Sequence, residues 1–157
     1  MSVVFYRIDD RLVHGQVMTG WSKVFKTMRI FVVDDQTAGD KFLCQVMQMS
    51  VPKDYEVYIM KTADAIEKIK SDPPDKKTMV LSKTPEVMRD LKNGGVEMTE
   101  LNVGGMGFLP GRRMVLRNIQ MSPQELEVLK EIAAKGVRVF CQIVPDGKSI
   151  ELDKVKL

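Results

Sequence analysis

Long apolar runs are missing from this sequence. None of its hydrophobic stretches approaches the roughly 20 residues that a transmembrane helix requires, and no charged-then-apolar signal peptide opens the chain. We therefore expect a cytoplasmic protein. The 157 residues fit one domain, spanning 1–157, that is long enough to bury a substantial core.

Cysteine and histidine are scarce. The two cysteines, Cys44 and Cys141, are far apart and follow no repeated spacing, which predicts reduced core thiols and not a disulfide framework or a zinc site. The single histidine, His14, has only two carboxylates close to it in sequence, which makes a poor set of zinc ligands. We expect no metal site.

A strong charge of one sign is also missing. The 24 basic and 21 acidic residues leave a net charge of +3, which is too close to balance to predict nucleic-acid binding. No basic motif interleaved with aromatic residues changes that, so we expect no nucleic-acid partner.

What the sequence does have is a regular alternation of short apolar runs with helical patterns. This alternation predicts an α/β protein, a three-layer α/β/α sandwich around a doubly wound, mostly parallel sheet. We predict about six strands and a short C-terminal edge strand, beginning near Val3, Arg29, Tyr55, Thr78, Glu100, Val137 and Ser149.

Two segments are harder to interpret. The spacing of apolar residues predicts a helix from about Ala38 to Met49, with Phe42, Leu43, Val46, Met47 and Met49 facing the core. Residues 104–121 follow no regular pattern, and we expect a short strand or turn inside them. Their arginines, Arg112, Arg113 and Arg117, suggest either a solvated loop or a docking rim for an acidic partner.

The rest of the chain reads as a scaffold for the segment 7–16, between the first strand and the first helix. It contains His14 together with Arg7, Arg11, Asp9 and Asp10. In open α/β sheets, ligands bind at this place, where a strand ends and a helix begins.

These residue types suit phosphoryl transfer to histidine. An imidazole nitrogen is nucleophilic near neutral pH when an acceptor holds the other nitrogen, a role that Asp9 or Asp10 fits. A phosphoryl group brings about 1.5 to 2 negative charges, which the guanidinium forks of Arg11 and Arg7 match. The backbone N–H groups of the two residues that open the helix, Gly15 and Gln16, would add donors.

Spacing alone leaves other interpretations open. His14 is equally compatible with a satisfied polar residue at a helix start. Asp9 and Asp10 after the first strand loosely suggest a receiver-like aspartyl-phosphate site, and a non-catalytic anion-binding domain is a third possibility.

The motifs resemble those of one family. The segment Arg7-x-Asp9-x-Arg11-Leu12-x-His14-Gly15-Gln16-Val17, with Trp21, resembles the N-terminal signature of the IIB component of the mannose/fructose/sorbose family of bacterial sugar phosphotransferase systems. Further similarities run to the end of the chain, at 33–35, 83–85, 102–106 and 142–145.

The resemblance implies a phosphocarrier. His14 would accept a phosphoryl group from phosphohistidine on the IIA component and pass it to a sugar that enters through the membrane components IIC and IID. Arg11 is our first choice for stabilising the group and Arg7 our second. No metal, nucleotide or other cofactor is needed, and a homo-oligomer is possible. Residues at the ends of neighbouring strands are predicted either to support the loop or simply to make turns and caps, namely Asp34, Lys83, Asn102 and Gly104.

Overall fold

The structure is a computed structural model that describes residues 3–15, 17–73 and 75–157. Its strands are β1 (Val3–Asp9), β2 (Arg29–Val33), β3 (Glu56–Met60), β4 (Thr78–Ser82), β5 (Glu100–Gly105), β6 (Arg113–Leu116), β7 (Ile119–Met121), β8 (Arg138–Gln142) and β9 (Ser149–Glu151). Its α-helices are α1 (Ser22–Phe25), α2 (Asp35–Ala38), α3 (Lys41–Met49), α4 (Thr62–Ser71), α5 (Pro85–Asn93) and α6 (Pro123–Ala133). A π-helical turn, Val17–Trp21, leads into α1. Within the described ranges, no helix is long and apolar enough to cross a membrane.

Seven strands form one sheet in the order β3-β2-β4-β1-β5-β8-β9. All neighbouring pairs are parallel except β8 and β9, which are antiparallel. The predicted α/β/α sandwich, with a mostly parallel sheet and a short strand at the C-terminal edge, is confirmed, and that edge strand is antiparallel. Because β1 lies in the middle of the sheet, the loop that follows it emerges between the ends of β4 and β5.

Helices cover both faces of the sheet. Successive strand residues point to opposite faces, so Phe31 and Val33 join the core under α4, α5 and α6, whereas Ile30 and Val32 join the core under the π-helical turn. Fully buried strands such as β2 and β4 therefore read as continuous apolar runs.

The second predicted helix is wrong in two respects. The chain makes two short helices, α2 and α3, which begin at the side-chain caps of Asp34 and Asp40. The apolar face of α3 is also not buried in the core. Only Met47 packs against the core from the predicted inward face, whereas four other members are exposed, namely Phe42, Leu43, Val46 and Met49. Residues that face a partner give the same apolar stripe as residues that face a core.

The irregular span 104–121 contains an antiparallel hairpin of β6 and β7. Arg112 fastens this hairpin to the rest of the protein, since Nε and Nη2 bind both oxygens of Glu125 at 2.9 and 2.7 Å, and Nη1 donates to the Gly107 carbonyl at 2.8 Å. Arg112 is thus a structural residue and not part of a docking rim. Arg113 and Arg117 are exposed.

Candidate functional site

Asp9 is the centre of the predicted site. It ends β1, and its carboxylate is fully buried. Oδ1 accepts hydrogen bonds from the backbone N–H of Arg11 at 3.0 Å and from its Nε at 3.1 Å. Oδ2 accepts from Arg7 Nη2 at 3.0 Å, from Arg11 Nη2 at 3.2 Å and from His14 Nε2 at 2.7 Å. One carboxylate therefore brings together both predicted arginines and the histidine.

Asp9 carries a negative charge in this setting. Burial by itself raises the pKa of its carboxyl group, but hydrogen bonds from His14 and Arg11, with the charge of Arg7, outweigh burial and lower that pKa well below its usual range. An ionised carboxylate can only accept hydrogen bonds, so Nε2 of His14 is the donor. The other ring nitrogen, Nδ1, then bears the nucleophilic lone pair.

Arg7 supports Asp9 from inside the protein. Its side chain is fully buried, where Nη1 donates to Asn102 Oδ1 at 2.6 Å and to the Gln142 carbonyl at 3.3 Å. Asn102 Nδ2 donates to the same carbonyl at 3.1 Å. Burial lowers the pKa of the Arg7 guanidinium and the charge of Asp9 opposes this; arginine nonetheless stays protonated in proteins. Arg7, our second choice for contact with an incoming phosphoryl group, therefore has its guanidinium fully buried and bound to groups of the protein itself.

Two glycines of β5 make room for this buried pair. A Cβ atom on Gly104 would lie 1.9 Å from Cζ of Arg7, and one on Gly105 would lie 2.8 Å from Oδ1 of Asp9. Gly104 was predicted to support the loop or to make a turn, but the reason for a glycine there is the space that Arg7 occupies. Gly105 pairs with Asp9 in the sheet, and its place next to Gly104 in the sequence was the signal for it.

Gly104→Ala is expected to lower the free energy of unfolding by about 3 kcal/mol or more, because Arg7 must leave its buried partner. Urea unfolding measures this. Gly39→Ala is the matched control: a Cβ there makes only an ordinary 3.5 Å contact, so we expect a change within about 1 kcal/mol. Equal stability of the two variants would contradict the spatial role of Gly104.

A left-handed residue shapes the turn after Asp9. Leu12 has a φ of 56°, and its backbone N–H donates to the Asp9 carbonyl at 2.9 Å. This conformation costs a leucine roughly 1–2 kcal/mol, which its buried side chain helps to offset. The turn brings Arg11 and His14 back toward the Asp9 carboxylate. Neither glycine nor asparagine stands at position 12, so nothing in the sequence marks this turn.

His14 and Arg11 are the members that reach the surface. The side chain of His14 is 16% exposed and that of Arg11 is 47% exposed, whereas the side chains of Arg7 and Asp9 are fully buried. Asp10 holds the loop to the sheet: its Oδ2 accepts from the Gly107 N–H at 2.7 Å, and its own N–H donates to the Gly105 carbonyl at 3.0 Å. Of the two aspartates, Asp9 orients the imidazole and Asp10 fixes the loop.

The remaining predicted residues lie around this centre. Gly15 is exposed just after His14, and Gln16 lies outside the described residues. Asp34 caps α2 through the Thr37 N–H at 3.0 Å and lies 3.7 Å from Lys83 Nζ. Lys83 and Arg11 line one groove of about 310 Å³. The structure therefore brings Lys83 to the same edge as Arg11, while Asp34 serves mainly as a helix cap.

Comparisons with known proteins identify the family of this chain. Residues 3–156 match the family model described as the PTS system sorbose subfamily IIB component. The chain is 31% identical over 152 residues to the N-acetylgalactosamine-specific phosphotransferase enzyme IIB component 1 of Escherichia coli, and 96% of each chain is covered.

Two solved structures are similar over nearly the whole chain. The crystal structure of manxB from Thermoanaerobacter tengcongensis superposes with a TM-score of 0.88 at 33% identity, covering 96% of this chain and 92% of that one. The IIBSor domain of the sorbose permease from Klebsiella pneumoniae gives 0.89 at 29% identity, covering 98% and 96%. The chain therefore belongs to the sorbose subfamily of IIB components of the phosphotransferase system.

Proposed function

We propose that His14 is the phosphoryl carrier of this IIB component and that Nδ1 is the nitrogen that carries the group. The single observation behind this is the 2.7 Å hydrogen bond between His14 Nε2 and Asp9 Oδ2. It fixes the tautomer with the proton on Nε2 and leaves the lone pair of Nδ1 for attack on phosphorus.

The reaction has two steps, and in each of them one bond to phosphorus forms and another breaks. In the first, Nδ1 of His14 bonds to the phosphorus of a phosphohistidine on IIA, and the phosphorus–nitrogen bond of the donor breaks. In the second, a sugar hydroxyl oxygen attacks the same phosphorus and the bond to Nδ1 breaks. The hydroxyl proton passes to a base of the membrane components IIC and IID, through which the sugar enters. The imidazole gains positive charge in the first step, and the ionised Asp9 stabilises it through Nε2–H.

Arg11 is the residue we assign to the phosphoryl oxygens. Its Nε and Nη2 lie against Asp9, which fixes the plane of the guanidinium beside His14, and almost half of its side chain is exposed. A guanidinium so held offers its charge to the equatorial oxygens of the transferring group. Arg7 acts indirectly as a positioning residue, through Asp9. A contribution of the Gly15 N–H remains a prediction.

The partners follow from the same proposal. The donor is a IIA component, and the acceptor is a sugar of the mannose, fructose, sorbose or amino-sugar class that enters through IIC and IID. We place the chain in the cytoplasm, at the inner face of the membrane, as a single IIB unit. The relatives compared above are named for sorbose and N-acetylgalactosamine, which supports the class and not one sugar.

The main rival is an aspartyl phosphate. Both oxygens of Asp9 accept hydrogen bonds and none of its side chain is exposed, which argues against attack by this carboxylate. The test is the stability of the label after incubation with phosphoenolpyruvate, the general phosphotransferase proteins and IIA. We expect a label that is lost in acid and retained in alkali, as for phosphohistidine. A label lost in alkali would show an acyl phosphate and contradict the proposal.

A further inference from the structure

An exposed surface adjoins the site on the side of the β6–β7 hairpin. We define the hairpin patch as five residues on or next to this hairpin, namely Phe108, Leu109, Arg113, Met114 and Arg117. Phe108 is 78% exposed and Met114 is 65% exposed. Aromatic residues, methionine and arginine are the types that protein interfaces favour, and large exposed apolar groups in one place mark partner contacts.

The patch is continuous with the phosphoryl-transfer site. One depression of about 330 Å³ is lined by Arg11 and Asp10 at one side and by Phe108, Met114 and Arg117 at the other. Arg11 and His14 bind the same carboxylate, so a protein that brings a phosphorus atom to His14 lies close to Arg11, and a standard interface of about 800 Å² per partner would extend onto these neighbours.

The patch is also held in place. Asp10 binds the Gly107 N–H, and Arg112 binds the Gly107 carbonyl and Glu125, so both ends of the segment 107–112 are attached to the protein. The apolar side chains of Phe108 and Leu109 project from this fixed segment. A surface fixed before binding loses less conformational entropy on association.

We infer that the hairpin patch is the docking surface for the phosphorylated IIA component, a partner with an apolar contact face and negative charge around its phosphohistidine. This inference rests on the proposed function. The positive charge of the patch favours the donor over the acceptor as its partner. In the first step the phosphoryl charge of about −2 arrives with the donor, so the exposed Arg113 and Arg117 attract it. In the second step that charge already sits on His14, and the arginines add no attraction for the incoming sugar complex.

The same charge transfer favours release of the spent donor. Before transfer, the arginines face an anionic partner. After transfer, the phosphoryl group lies on His14 beside the patch and offsets the arginine charges, while the donor has lost its own negative charge. The patch thus binds phosphorylated IIA more tightly than dephosphorylated IIA, so the spent donor dissociates and another phosphorylated donor can bind.

The test measures phosphoryl transfer from phosphorylated IIA to the Arg113→Glu/Arg117→Glu double variant. We expect the KM for the donor to rise roughly tenfold or more at low salt, with kcat changed less than about twofold, and the difference to shrink at high salt. The matched control is Lys53→Glu/Lys77→Glu, which makes the same charge change at exposed positions next to the amino ends of β3 and β4. Its KM should equal that of the unsubstituted protein.

An apolar pair tests the contact itself. Met114→Ser is expected to raise the donor KM several-fold, whereas Met28→Ser, at an exposed methionine before β2, should leave it unchanged.

Equal KM values for the arginine double variant and its control would overturn the inference. A defect confined to the second step, measured with pre-phosphorylated protein, membranes holding IIC and IID, and sugar, would assign the patch to the acceptor instead. A dimer that dissociates in Met114→Ser would assign it to a second copy of this chain. If unsubstituted protein receives no label from IIA, the proposed function fails first.

Discussion

His14→Ala is expected to reduce labelling from phosphorylated IIA to background, at least a thousandfold below the unsubstituted protein, because it removes the nucleophile itself. His14 is the only histidine in the sequence, so the variant holds no second imidazole that could accept the group. The measurement is the amount of radioactive phosphate bound per chain after a fixed time with donor in excess.

The fold of this variant should survive. The His14 side chain reaches the surface, and Asp9 keeps its hydrogen bonds from Arg7 and Arg11, so the free energy of unfolding should fall by only about 1 kcal/mol. Lys23→Ala, at an exposed position of α1, is the control and should be labelled normally. Labelling of a folded His14→Ala variant would show that another residue carries the phosphoryl group.

Asp9→Asn has the second largest expected effect, a loss of roughly 10²- to 10⁴-fold in the rate of transfer. An amide has one accepting oxygen, whereas the carboxylate of Asp9 accepts from Arg7, Arg11 and His14 at once. The imidazole then loses its fixed tautomer, and the charge that forms on it loses its counter-charge. The buried Arg7 also loses its ion-pair partner, so stability should fall by about 3 kcal/mol or more.

Asp10→Asn separates these effects from general damage to the loop. Asp10 binds the Gly107 N–H through one oxygen, which an asparagine oxygen reproduces. We expect the rate to stay within about fivefold of the unsubstituted protein. The Asp9→Asn rate should be compared only where circular dichroism shows the variant folded. Similar rates for the two variants would contradict the special role of Asp9.

The site residues that stand just after parallel strands were predictable from the sequence. The apolar run of β1 and the periodic residues after it placed His14 at the carboxyl edge of a parallel sheet, and the strand ends before Asp34 and Lys83 placed these residues at the same edge, whereas Asn102 lies inside β5. Parallel topology makes this inference strong, because all such strands end on one side. The mixture of arginine, aspartate and histidine then indicated an anion of high charge.

The contacts across strands were not predictable in the same way. Whether Arg7 reaches the phosphoryl group or is buried depends on the space left by Gly104, ninety-seven positions later in the chain, and on the pairing of β1 with β5. The left-handed Leu12 depends on the tertiary packing of its side chain, which overrides local preference.

The helix α3 shows a different limit. Hydrophobic periodicity predicts that a face avoids water but not what covers it. The helix is short and contacts the core through Met47, while the exposed Leu43 and Val46 line the groove that Arg11 also lines. A pattern that is reliable for a core helix was therefore wrong for one at the margin of the candidate site.

The most direct test of the central claim is nuclear magnetic resonance of the His14 ring before and after phosphorylation, with nitrogen-15 in the imidazole. We predict the proton on Nε2 in the free protein, held by Asp9, and phosphorus coupled to Nδ1 in the phosphorylated protein. Phosphorus on Nε2, or on a carboxylate, would contradict the account.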